Sequence, residues 1–374
     1  MKTRVRDQLG IEFPILAFSH CRDVVAAVSA AGGFGVLGAV AHTPDELDHD
    51  LTWIREHAGG APFGVDLLLP QKYIGADEGG LDAAAAASRL PAEHKAFLDG
   101  MLDNYGVPTL AGDEHIVGQV MNVSPSGIAP LLDVAFAHPI RLIASALGPP
   151  PPYLVERAHS HDVLVAALAG SPVHAARHAI AGADIIVAQG TEAGGHTGEI
   201  ATMVLVPEVV DAVAPIPVLA AGGIARGRQL AAALALGAEG VWCGSVWLTT
   251  EEAETDPVVK LKFLAATSAD TVRSRSLTGK PARMLRTPWT DEWARPDTPE
   301  PLPMPLQSAL VAEAQVRIRR AAHNTGSGAE QLDTYFVGQV VGTMDRVKPA
   351  RRVVLEMVEE YIDTFDRLRR ITED

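Results

Sequence analysis

The segment Gln189-Gly190-Thr191-Glu192-Ala193-Gly194-Gly195-His196 sets an amide, several glycines and an imidazole close together in the chain. An imidazole with an ordinary pKa of about 6.5 can take up and return a proton near neutrality. A glutamine amide donates and accepts hydrogen bonds at once, which suits the polar edge of a planar heterocycle. Glycines lack a Cβ and allow the backbone to pass close over such a ring. His196 is therefore the candidate catalytic base, with Gln189, Gly194 and Gly195 as candidate contacts to a flat cofactor.

Two further glycine turns suggest what would anchor that cofactor. Ala220-Ala221-Gly222-Gly223-Ile224 leads from an apolar run into a helical pattern, and Trp242-Cys243-Gly244-Ser245 ends the next apolar run. Amides at a helix start carry a partial charge that favours phosphate, and glycine lets them approach it. One such turn alone is commonly just a tight turn. A pair of them after successive strands fits a phosphate site, so Gly222, Gly223, Gly244 and Ser245 are candidate cofactor ligands. Gly33-Phe34-Gly35-Val36-Leu37-Gly38 also fits G-x-G-x-x-G, but it ends a helix and opens a strand. A dinucleotide fingerprint needs the reverse order. Gly279-Lys280 is followed by Pro281, so it is no Walker A loop.

These turns need a scaffold that brings them together. Apolar runs of strand length recur at 13–18, 34–39, 62–69, 141–146, 163–168, 185–189, 218–221 and 240–244, and amphipathic stretches separate most of them. Thr43 or Asp45 can cap one such helix, and a closing helix is expected at about 257–266. Strands alternating with helices are parallel, because parallel neighbours need crossovers. Eight repeats close a barrel, whereas an open doubly wound sheet usually has about six strands. The expected fold is α/β, a (β/α)8 TIM barrel spanning 1–286. Residues 70–139, after the third strand, read as a partly helical insertion at the catalytic face, since structureless loops of that length are uncommon. Residues 287–374 begin as a proline- and threonine-rich linker or lid. Helices follow at 307–323 and 349–371, flanking 335–343; they could close the active site or make a homodimer contact.

Composition narrows the function classes. The chain has 374 residues, 47% hydrophobic and 21% charged, enough for a large core. Its formal net charge of -15 argues against nucleic acid, which needs a clustered basic face. The basic runs at 346–352 and 367–370 lie among carboxylates and read as solvated helix faces. There is no apolar run of membrane-spanning length and no signal-peptide core, so a cytoplasmic protein with a small-molecule substrate is expected. Cys21 and Cys243 form no zinc spacing, and no metal site is expected. His159 and His161 read as capping or solvated groups, and Cys243 as a buried barrel residue. His174 and His178 share an i,i+4 spacing but lack a nearby glutamate, so an exposed helix face is the better account.

Together these motifs resemble the nitronate monooxygenase family, formerly called 2-nitropropane dioxygenases. The likeness is strongest over 181–248, where AQGTEAGGH and AAGGI occur in that order, and weaker at 14–39, 62–67 and Val337-Gly338-Gln339. FMN-dependent enoyl reductases of fatty-acid synthesis are similar in the same segments. The resemblance implies FMN, held through Gln189, Gly194, Gly222, Gly223, Gly244 and Ser245, with His196 as base. Asp66 stands where the family's GVNL strand has asparagine, so a cofactor contact there would be altered: a carboxylate donates no hydrogen bond unless protonated. Phe18-Ser19-His20 replaces the family's Ala-Pro-Met, making Ser19 and His20 candidate active-site residues and His20 a second acid/base. The expected activity is oxidation of a nitronate or similar carbon acid by an FMN enzyme, with O2 as acceptor. One alternative is NAD(P)H-dependent reduction of an enoyl thioester. A remoter one is a flavin-free barrel acting on a phosphorylated metabolite, for which no lysine or carboxylate pair stands out.

Overall fold

Eight short parallel strands hydrogen-bond in a closed ring in the computed structural model, which describes every residue except 70–72, 79, 82, 111–124, 325 and 373–374. The ring runs through β1 (Ile15–Ser19), β2 (Phe34–Gly38), β3 (Phe63–Leu68), β4 (Leu142–Ala146), β5 (Leu164–Ala169) and β6 (Ile185–Gln189). A two-residue strand outside the ring, β7 (Gly195–His196), precedes β8 (Val218–Ala221) and β9 (Gly240–Cys243). β9 returns to β1, with Val241 opposite Ile15. The TIM barrel expected from the sequence is therefore the fold, with strand bounds shifted by a residue or two.

These strands are apolar on both faces because both are covered. Leu16, Phe34, Val36, Leu142, Val187, Leu219 and Trp242 pack inside the ring. Val65, Leu67, Ile143 and Val165 face outward against the helices. The helix Pro44–His57 shows how local sequence sets an element. Thr43 Oγ1 accepts from Glu46 N at 3.2 Å, and Glu46 Oε2 accepts from Thr43 N at 2.8 Å. Such reciprocal caps stabilise a helix start by about 1 kcal/mol.

Several elements depart from the sequence expectation. The helix Pro125–Ala137 packs on Pro44–His57 and puts Ile128, Leu132 and Ala135 into the outer core. It is the ordinary crossover between β3 and β4, so the excursion after β3 ends earlier than 139. Residues 111–124 of that stretch lie outside the described residues. The described helices Ala83–Ser88 and Ala92–Asn104 pack instead on Leu306–Ala322. Leu98, Met101, Trp289, Trp293, Leu310 and Ile318 make a separate core there. Burial of each such aliphatic side chain contributes roughly 1.5–3 kcal/mol.

The closing helix is also not where it was expected. Pro257–Ala265 packs against the short turns at Ser245–Thr249 and Gln339–Thr343. The helix between Gly227–Ala235 and Arg22–Ala30 is Ala350–Thr372, from far along the chain. A Cβ at Gly227 would collide with the backbone of Met357 and Tyr361, so the helices meet there at backbone range. Glu360 ties the contact to Arg226 at 2.7 Å and Arg228 at 2.6 Å. Two further strands were unforeseen: β10 (Thr271–Ser274) and β11 (Ala282–Leu285), which form an antiparallel sheet with β7. Among the described residues no helix is long and apolar enough to cross a membrane.

Candidate active site

The candidate residues gather at the C-terminal ends of the strands. Ala221 lies opposite Trp242, so the turns after β8 and β9 leave neighbouring strands, about 4.8 Å apart. Gly222 and Gly223 have φ of 95° and 70°, a left-handed geometry that strains any residue with a Cβ. Gln229 braces the turn: its Oε1 accepts from Ala225 N at 2.8 Å and Arg226 N at 3.0 Å. Among the described residues, the N–H groups of Gly222, Gly223, Ile224, Gly244 and Ser245 find no acceptor in the chain. Half-buried amides without partners, gathered on two adjacent turns, fit an oxyanion such as a phosphate.

The floor beside these amides is flat and apolar. Phe18 and Trp242 stack with ring centres 6.4 Å apart and planes 24° off parallel. A Cβ on Gly244 would meet only the Phe18 ring, at 3.9 Å, so the mouth is open there. Ile185 and Val187 face inward, and alternation puts Gln189 on the same inner face. Its amide makes no hydrogen bond among the described residues. An anion cradle, a flat floor and an unpaired amide are what a phosphorylated planar cofactor requires.

His196 lies on β7, in the loop that follows β6, held by β11 through the pair His196–Ala282. Its Nε2 lies 2.9 Å from Thr278 Oγ1. The Thr278 hydroxyl lies 3.2 Å from the Lys280 carbonyl, to which it can donate. That assignment makes Nε2–H the donor to Thr278 and leaves the lone pair on Nδ1. Burial, with the Lys280 ammonium second, holds the imidazole down to about 4. His196 is therefore neutral at pH 7 and able to accept a proton.

The loop bearing His196 is stapled at several points. Glu192 accepts from Thr202 N and, at 2.8 Å, from the Thr202 hydroxyl. Its carbonyl accepts from Gln339 N at 2.9 Å. Gly194 passes so close to Gly338 that a Cβ would lie 2.9 Å from its nitrogen. Val337-Gly338-Gln339 thus serves as a clamp on this loop. Ser245 Oγ accepts from Gly338 N at 2.7 Å, which still leaves its own hydrogen to donate. Gly195 has φ of 76° and pairs with Arg283 across the small sheet.

Ser19, His20 and Asp66 border the other side of the mouth. Ser19 Oγ accepts from Cys21 N at 3.1 Å and shapes the turn after β1. His20 is open to the mouth, yet the protein around it excludes enough solvent to push its pKa down. Asp66 is 7% exposed, and burial raises its carboxyl to about 7. The remaining histidines lie elsewhere. His178, expected on an exposed face, is buried with Nε2 3.0 Å from the Leu168 carbonyl. The sequence reading missed Thr278, Lys280 and Arg283; Gly279-Lys280 drew attention only as a failed Walker A.

The fold is that of a TIM barrel, and the chain's relatives make it an oxidoreductase. More narrowly, the chain belongs to the nitronate monooxygenase family, whose sequence profile matches residues 2–360 and whose members are flavin enzymes. It is 71% identical over its full length to the full length of "Putative monooxygenase Rv1533" of Mycobacterium tuberculosis. It is 29% identical to a "Probable nitronate monooxygenase" of Staphylococcus saprophyticus, over 87% of this chain and 89% of that one. A nitroalkane oxidase from Streptomyces ansochromogenes superposes with a TM-score of 0.80 at 28% identity, covering 97% and 99% of the two chains. FabK from Thermotoga maritima superposes with a TM-score of 0.73 at 30% identity, covering 99% of each.

Proposed function

We propose that this chain is a cytoplasmic FMN enzyme that oxidises a nitronate or similar carbon acid, with O2 as the acceptor. The unpartnered amides of two neighbouring turns, on the barrel face whose β6 loop carries a neutral imidazole, support this reading. Gly222, Gly223, Gly244 and Ser245 would hold the phosphate, and Gln189 the polar edge of the ring. When bound, FMN would supply the redox chemistry, taking electrons from the carbon acid and passing them to oxygen. The rest falls to the chain. His196 Nδ1 takes the proton from a neutral substrate, and a substrate that arrives as an anion needs no base. The Lys280 ammonium, whose charge already acts on His196, draws such an anion to the mouth and stabilises it there. The small sheet of β7, β10 and β11 holds the base in place.

The likeness to FabK supports a second reading with the same site, in which NAD(P)H reduces an enoyl thioester and His196 protonates the product. Anaerobic mixing of the purified protein with a nitronate, NADH or NADPH separates the two. Bleaching of the flavin band by the nitronate is expected. Bleaching by NADPH alone would replace the first reading with the second, and a colourless protein releasing no FMN would end both.

A further inference from the structure

The helix Ala350–Thr372 is longer than the slot it fills. Its 23 residues span about 35 Å, whereas its neighbours Arg22–Ala30 and Gly227–Ala235 have nine each. Ala350, Val353, Val354 and Met357 are buried in the barrel's outer core, and Val358 and Tyr361 pack at its margin. The close crossing with Gly227 falls at Met357, Glu360 and Tyr361. Beyond it, every residue from 362 to 372 is exposed except Thr364, which is half-buried.

The apolar stripe continues where burial stops. Residues 350, 354, 357, 361, 365 and 368 follow at steps of four or three, which places them on one face of the helix. Ile362 and Ile371 border that face. Ile362 is 53% exposed, Phe365 58%, Leu368 45% and Ile371 66%. The Tyr361 and Phe365 rings stack with centres 6.4 Å apart, so the stripe keeps its order as it leaves the barrel. A helix of about three turns with no packed face is marginal in water, and an exposed apolar cluster of this kind marks a contact surface. Charge along the same segment changes sign once: Asp363 and Asp366 come first, then Arg367, Arg369 and Arg370. A copy related by a twofold axis across the helix runs antiparallel to it, so acid meets base at both ends. A parallel copy sets like charges together. We propose that residues 361–372 form a dimer contact, pairing antiparallel with the same segment of a second copy. Tyr361, Ile362, Phe365, Leu368 and Ile371 pack at its centre, and the aspartates of each copy lie beside the arginines of the other. The net charge of -15 disfavours an anionic lipid surface as the occupant. One helix pair is small for a specific interface, about 1,000 Å² in all, so dissociation in the micromolar range is expected. The contact does not depend on which compound the enzyme oxidises.

Sedimentation velocity of the full chain across a concentration series tests this. The 39.5 kDa chain should pass from monomer to dimer as concentration rises through the micromolar range. The double variant Phe365→Asp, Leu368→Asp should weaken the dimer at least a hundredfold while its melting temperature stays near that of the parent, because both side chains lie outside the barrel core. A monomer at every concentration overturns the proposal, and so does a dimer whose dissociation is unmoved by that variant. A second pair of variants covers the case of a misfolded double aspartate. Asp363→Arg with Asp366→Arg, and Arg367→Asp with Arg370→Asp, should each be monomeric alone and should form a dimer when mixed. Failure of the mixture to associate overturns the proposal. Binding of the parent to phosphatidylglycerol vesicles without any dimer would assign the stripe to lipid and overturn it equally.

Discussion

On the β6 side of the mouth, the loop from Gly190 to Gly198 is held by Thr202, Arg283, Thr278 and the Gly338 segment. On the β1–β3 side, His20 has one bond, to Gly38, and the Asp66 carboxyl has none among the described residues. The first arrangement suits a ligand that stays. The loop there is fixed before anything enters, and the glycines leave a mould of set shape. The second suits something that comes and goes, since its polar atoms wait for partners and their protonation can follow what arrives. One ring of strands thus carries a braced half, suited to a cofactor, and a half whose polar side chains have few partners.

The comparison breaks first at His196. His196→Asn should retain the flavin, since the imidazole is not among the proposed phosphate ligands, while turnover of a neutral carbon acid falls by about 10²–10⁴. Full activity in that variant, together with loss of activity in His20→Gln, would exchange the roles of the two sides. Asp66→Asn probes the sparsely partnered half through stability. The raised carboxyl binds its proton more tightly folded than unfolded, so stability is present below about pH 4 and lost as pH rises toward 7. Removing the ionisation should stabilise the variant at pH 8 by up to about 4 kcal/mol and leave it unchanged near pH 4. Melting curves at the two pH values read this directly, and equal shifts at both would show that Asp66 does not titrate in this range.

On the braced half, Gly222→Ala should lower flavin affinity roughly tenfold, because a left-handed Ala costs about 1–2 kcal/mol. Fluorescence of released flavin on dilution measures it. Unchanged retention would mean the turn is not part of the cradle. Thr278→Val is the mildest test. Loss of one hydrogen bond, worth about 1 kcal/mol, should reduce kcat about fivefold with KM little altered. A change confined to KM would make the threonine a substrate contact and not a support for the imidazole.

The strands were legible because a barrel strand covered on both faces is a short apolar block, and eight blocks at crossover spacing admit few alternatives. The glycine turns were legible because positive φ and close approach leave little choice of residue. What could not be read was partnership over long sequence distance. Pro257–Ala265 has a suitable length and comes next in order, and nothing in its residues says that Ala350–Thr372 takes the groove. β10 and β11 are four-residue strands that pair with each other and, through β11, with the distant two-residue β7. Thr278 and Lys280 sat in a segment tested against the wrong motif. His178 was read as exposed because its i,i+4 pair with His174 lacks a glutamate to complete a metal site, yet its ring is buried and bonds the Leu168 carbonyl at the β5 end.

The borrowed origin of the last barrel helix imposes an order of events during synthesis. All eight strands can emerge from the ribosome and pair while one outer slot, between Arg22–Ala30 and Gly227–Ala235, still lacks its cover. Val24, Val28 and Leu230 stand in that slot until Ala350, Val353, Val354 and Met357 arrive. A nascent chain that pauses beforehand presents an oily seam to its neighbours, so translation speed through the intervening hundred-odd codons becomes a determinant of yield.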